Sequence, residues 1–164
     1  MNNKISGFYT QLKELIDRYP GLFKELEAVE QRKYQGAKDS DLEALNTAMK
    51  EEQVLILTLK GYEQKREALF RELDIPEKTS LRNLSGVLPE DVREDMEHCT
   101  REFLTAYESF RTTYEKTREI LMLQARVTDR KLKEFDRRAA AASPYQPDGT
   151  RESPSFHTMK NIHI

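Results

Sequence analysis

Tryptophan is absent from this 164-residue chain, cysteine occurs once, and glycine and proline number 6 each. A lone cysteine, Cys99, cannot close an intramolecular disulfide, so no staple suits an oxidising compartment and a cytoplasmic location is expected. No apolar run of membrane-spanning length occurs, and the start, Met1-Asn2-Asn3-Lys4-Ile5, lacks the apolar stretch of a secretion signal, so neither secretion nor stable membrane insertion is expected. Charge of one sign is also missing: 27 basic and 29 acidic residues leave a formal net charge of -2, with no broad positive field to attract nucleic acid. Gly36 and Gly61 are isolated and form no phosphate-cradling loop.

What is there is the material of long amphipathic helices. Charged residues make up 34% and hydrophobic ones 37% of the chain, with a mean hydropathy of -0.80, which fits a thin core under much wetted surface. The expected fold is all-α: an elongated antiparallel helical bundle or coiled coil of long helices, with one short connecting helix and a flexible C-terminal tail. Phe8, Leu12, Leu15, Tyr19, Leu22, Leu26 and Val29 step by three and four and predict a first helix over about residues 5–38. Pro20-Gly21 lies inside it and predicts a kink or break at residue 20.

Ser40-Asp41-Leu42-Glu43 reads as a capping box with Ser40 as N-cap and opens a second helix over 41–73. Its seam runs Leu42, Leu45, Met49, Glu52, Ile56, Leu59, Glu63, Arg66, Phe70 and Leu73, with Leu55, Tyr62 and Leu69 on an adjacent stripe. So wide a face predicts contact with more than one helix. A short helical turn is expected over 80–85, and Pro89-Glu90-Asp91 opens a last helix over 90–138. The expected organisation is a helical bundle over 1–142 and a tail over 143–164, where breakers replace periodicity.

Chemistry finds little footing. Glu94, His98 and Glu102 share one helix face beside Asp95, but no facing helix carries a matching carboxylate and histidine, so the stripe reads as solvated and no metal is expected. Cys99 falls on the apolar seam and reads as core, and no catalytic or cofactor site is expected. Arg126 to Arg138 holds six basic and three acidic residues, and cations there complement the negative end of a long helix. A last helix this long should project beyond its neighbours. Ile120, Leu121, Leu123, Val127, Leu132 and Phe135 are then the candidate partner-binding residues, because an uncovered apolar stripe marks a partner site.

The order of parts resembles a known family: a helix, the turn Asp39-Ser40-Asp41-Leu42-Glu43-Ala44-Leu45, the run Tyr62 to Leu73, a Ser-Leu segment, a long last helix, and Tyr145-Gln146-Pro147-Asp148-Gly149. This arrangement resembles the FlgN family of flagellar type III export chaperones over most of the chain. The resemblance implies a cytosolic chaperone that is not an enzyme. It implies binding of the C-terminal helical segments of hook-associated proteins through the C-terminal part of the chaperone, and delivery to the flagellar export gate. The same helix grammar without the family is that of a generic coiled-coil scaffold or oligomerisation module, and a homodimer is compatible with either reading.

Overall fold

The computed structural model describes residues 3–142. Three long α-helices, α1 (Asn3–Lys38), α2 (Leu42–Glu72) and α3 (Glu90–Ala142), carry the fold, with a 3-10 segment at Leu81–Val87 before α3. The tail expected from Ser143 lies outside the described residues. At about 1.5 Å per residue, α3 is roughly 80 Å long and α1 roughly 54 Å, so the bundle is elongated.

α1 is the central element: it packs against both α2 and α3, which share no backbone-level interface with each other. Cross-contacts fix the directions. Arg32 pairs with Glu51 and Tyr19 with Glu63, so α2 runs antiparallel to α1. Lys13 pairs with Asp95, Glu27 with Ser109, and Glu30 with Thr117, so α3 runs parallel to α1. The sequence explains why α1 takes the centre. Beside the stripe Leu12, Leu15, Tyr19, Leu22, Leu26 and Val29 lies a second buried set, Tyr9, Ile16, Phe23, Glu30 and Ala37, repeating every seven residues, so α1 has two inward faces. α2, with one neighbour, buries only Ala48, Leu59, Arg66, Leu69 and Phe70. Leu42 and Met49, expected on its seam, are exposed, and α2 has no second helix at backbone distance, although its Leu59, Leu69 and Phe70 join the core cluster that holds Phe103 and Phe110 of α3.

α1 runs unbroken through Pro20. Proline removes one backbone bond and clashes with the preceding turn, but Tyr19, Leu22 and Phe23 around it are buried in an aromatic cluster that holds the helix in place. In that cluster Tyr19 and Phe23 lie edge-on to Phe103 at ring-centroid distances of 5.0 and 5.3 Å, and Phe23 stacks on Phe110 at 5.7 Å. The cluster joins α1 to α3 at mid-length. Tyr62 adds α2 to it at 5.3 Å from Tyr19.

The corner between α1 and α2 differs from the capping box in one respect. Ser40 has φ 55, the left-handed position that closes a helix, with its amide bonded to Ala37 and that of Asp41 bonded to the Gly36 carbonyl. The N-cap of α2 is therefore Asp41, whose side chain accepts from the Ala44 amide at 3.0 Å. Gly36 allows this tight corner, since a Cβ there would stand 3.1 Å from the Leu45 backbone nitrogen. The end of α2 repeats the device: Asp74 has φ 54, and the Ile75 amide bonds to the Phe70 carbonyl while Ile75 and Phe70 are both buried.

Candidate partner-binding surface

The last side-chain bond between α1 and α3 is donated by the Gln124 amide to the Ala37 carbonyl, at the final turn of α1. α3 then continues for about 18 residues, or roughly 27 Å, past the corner. Every residue from Arg126 to Ala142 is exposed. Of the sequence-predicted surface residues, Ile120 and Leu121 lie below this point and are half-buried against the bundle. Leu123 is 59% exposed, Val127 41%, Leu132 39% and Phe135 68%. The structure thus gathers three of the six, Val127, Leu132 and Phe135, on the uncovered overhang and places Ile120, Leu121 and Leu123 at its base.

The overhang holds itself as a helix by local pairs. Lys133 reaches Asp129 at 2.9 Å and Arg138 reaches Glu134 at 2.7 Å, both exposed (i, i+4) contacts that contribute about 0.2–0.5 kcal/mol each. Such pairs keep the helix formed without covering its apolar side chains.

Below the overhang the ionisable groups are structural. Glu30 is fully buried, and Lys33 sits between it and Glu52 at 3.0 and 2.9 Å. Burial first, then a hydrogen bond to Glu52, pushes the Glu30 carboxyl up to about 8, against the opposing pull of Lys33. Burial would lower Lys33, but the two carboxylates outweigh it and hold the ammonium above its usual value. One proton on Glu30 leaves the trio neutral in its dry setting. A second set lies deeper: Tyr19 donates to Glu63 at 2.6 Å, Arg66 meets the other Glu63 oxygen at 2.6 Å, and its guanidinium stands over the Phe70 ring at 5.6 Å. The polar residues of the expected α2 seam, Glu52, Glu63 and Arg66, are thereby accounted for. Glu30 and Lys33, the α1 partners of Glu52, are not identified by the sequence reading, where their only signal is a charged pair inside an apolar periodicity.

The groups weighed for chemistry stay apart. Among the described residues no set of three histidine, cysteine or acidic side chains is placed to hold a metal ion, and Glu94, His98 and Glu102 all lie exposed. Cys99 is buried, and burial followed by a hydrogen bond with Asp17 pushes its thiol up to about 12, which suits a core side chain. Among the described residues no helix is long and apolar enough to cross a membrane.

No curated protein and no solved structure gives a significant match to the chain. The profile of the FlgN protein family matches residues 1–153, a span that takes in all three helices, the corner and the whole overhang. A match over that length, on a chain whose described residues form a helical bundle with an uncovered helical extension, shows that the protein belongs to the FlgN family of flagellar export chaperones.

Proposed function

We propose that this chaperone acts in the cytoplasm, binds the C-terminal helical segments of hook-associated proteins on the α3 overhang, keeps them from assembling early, and delivers them to the type III export gate. The observation that supports this reading most is the apolar stripe that α3 carries past the end of α1, with Leu132 and Phe135 exposed on a formed helix. An unassembled subunit end is a disordered amphipathic segment, and it can fold against such a stripe by burying its own apolar face. Membership of a chaperone family supports binding, rather than chemical change of a substrate, as the work of this surface.

The test is fluorescence anisotropy with a labelled C-terminal segment of a hook-associated protein from the same organism. Binding by the full chain, weakened at least about tenfold by Leu132→Asp/Phe135→Asp with unchanged helicity, supports the reading, since each side chain buries enough apolar surface for such a loss. If the folded chain binds no such segment but self-associates, the scaffold reading replaces it.

A further inference from the structure

The apolar face of α3 continues beyond α1. Leu121, Ala125, Thr128, Leu132, Phe135 and Ala139 recur at steps of four and three as one seam and, on a straight helix, lie on the face that Phe103 and Phe110 turn to α1, while the seven-residue line of Phe103, Phe110 and Thr117 runs through Gln124 to Lys131 and Arg138 at its edge. Charge on the two edges of this seam is sorted by sign. Lys131 and Arg138 each precede a seam position and line one edge; Asp129 and Asp136 each follow a seam position and line the other. Arg126, Arg130, Lys133 and Arg137, at steps of four, three and four, fall on the back of the helix, so the basic excess is mostly turned away from a docked partner.

Two occupants compete for such a seam, and the edges separate them. A second copy meets the overhang along its full length only in antiparallel pairing, because in a parallel pair each copy's own α1 stands between the seams below Gln124. A two-fold axis across an antiparallel pair sets each edge against its own equivalent. Lys131 and Arg138 then face the copy's cations and Asp129 and Asp136 face its carboxylates, which opposes the pairing. A foreign helix bears no such restriction.

We infer that the overhang takes an amphipathic helix of another protein, about five turns long, with acidic residues along one edge of its apolar stripe and basic residues along the other. This rests on reading the overhang as the cargo surface and adds the chemistry of the cargo. The existing pairs of Asp129 with Lys133 and of Arg138 with Glu134 are exposed and exchange readily for pairs across the new interface.

The experiment uses the full chain and three designed helical peptides with one shared apolar stripe: one edge acidic and one basic, both edges acidic, and both edges basic. Each of the other two peptides keeps two of the four exposed ion pairs and turns the other two into like-charge contacts, so at a factor of about two for each pair lost and each repulsion gained the mixed-edge peptide should bind about tenfold tighter than either. Lys131→Glu/Arg138→Glu should turn the preference to the all-basic peptide, and Lys131→Ala/Arg138→Ala should make the mixed-edge and all-basic peptides bind alike, both ahead of the all-acidic one, with helicity checked by circular dichroism. Equal binding of the three peptides by the wild type, or a ranking unmoved by the charge reversal, overturns the inference; so does a wild-type dimer that the mixed-edge peptide fails to dissociate. A natural hook-associated segment that fails to bind while the mixed-edge peptide binds in this ranking removes the cargo assignment alone and supports the edge code.

Discussion

Replacing Glu30 with glutamine turns a titrating carboxyl into a neutral group of nearly the same shape, and the stability difference between the two proteins is expected to grow with pH. In the wild type the buried Glu30 holds its proton up to about 8, whereas in the unfolded chain it releases it near 4.5. Between those values folding takes up a proton, so the contribution of Glu30 is complete below the unfolded value and is lost as pH climbs through the folded one. The slope is about 1.4 kcal/mol per pH unit, or about 3 kcal/mol from about pH 5 to about pH 7.5. Lys33 stays charged throughout, because its carboxylate neighbours raise it. The substituted amide carries no titrating proton, so subtracting the two proteins cancels the groups that do not interact with Glu30. Urea unfolding followed by far-ultraviolet circular dichroism at about four pH values in this range gives both curves. The Glu30→Gln variant should gain on the wild type by about 3 kcal/mol across the range. A difference that stays flat, or that moves toward the wild type as pH rises, refutes the shared-proton account of the trio.

Ser40→Gly should stabilise the protein by about 1 kcal/mol, because the left-handed backbone at residue 40 strains a side chain and spares glycine, while the N-cap belongs to Asp41; denaturant midpoints read the change. Asp41→Ala should cost about 1 kcal/mol in the same assay. Gly36→Ala should destabilise despite its gain in helix propensity, since the new Cβ meets backbone rather than a yielding side chain. Phe103→Ala, which empties the middle of the aromatic cluster, should cost about 3–5 kcal/mol by thermal or chemical unfolding. Leu132→Asp/Phe135→Asp should leave the melting temperature unchanged, because neither residue packs on the bundle.

Punctuation made the helical architecture legible. Pro89-Glu90-Asp91 opens α3 where it begins at Glu90, and the corner after Lys38 falls where the polar turn residues stand. The one-residue difference at the cap follows from the corner itself: Ser-x-x-Glu is compatible with Ser40 as a cap, but the end of α1 uses Ser40 to turn left-handed and passes the cap to Asp41. The α2 seam was harder to read for a related reason. A stripe interrupted by Glu52, Glu63 and Arg66 does not say which of two neighbouring stripes faces inward, and the answer depended on α1 supplying Lys33 and Tyr19 across the interface. Of the two expectations at Pro20, the break is excluded by the unbroken α1, whose buried Tyr19, Leu22 and Phe23 hold the helix on both sides of the ring. At the candidate surface, residue spacing identified the stripe, but only the level at which α1 stops separates the half-buried Leu121 from the exposed Leu132 and Phe135.

The central place of α1 has a consequence for how the molecule opens. With α2 and α3 each anchored to α1 and not to one another, α2 can detach while the α1–α3 pair and its aromatic cluster stay intact. Its first half is thinly buried: from Leu42 to Leu57 only Ala48 is buried, and the rest of the hold is the half-buried Leu45, Leu55 and Ile56, the corner, the Arg32–Glu51 pair and the Lys33 trio. Amide protons in that half of α2 should therefore exchange ahead of those in the middle of α1, through an opening confined to one helix. Because the trio ties this same half to α1, release of the Glu30 proton should loosen it, so exchange there is expected to quicken with pH beyond the intrinsic rate.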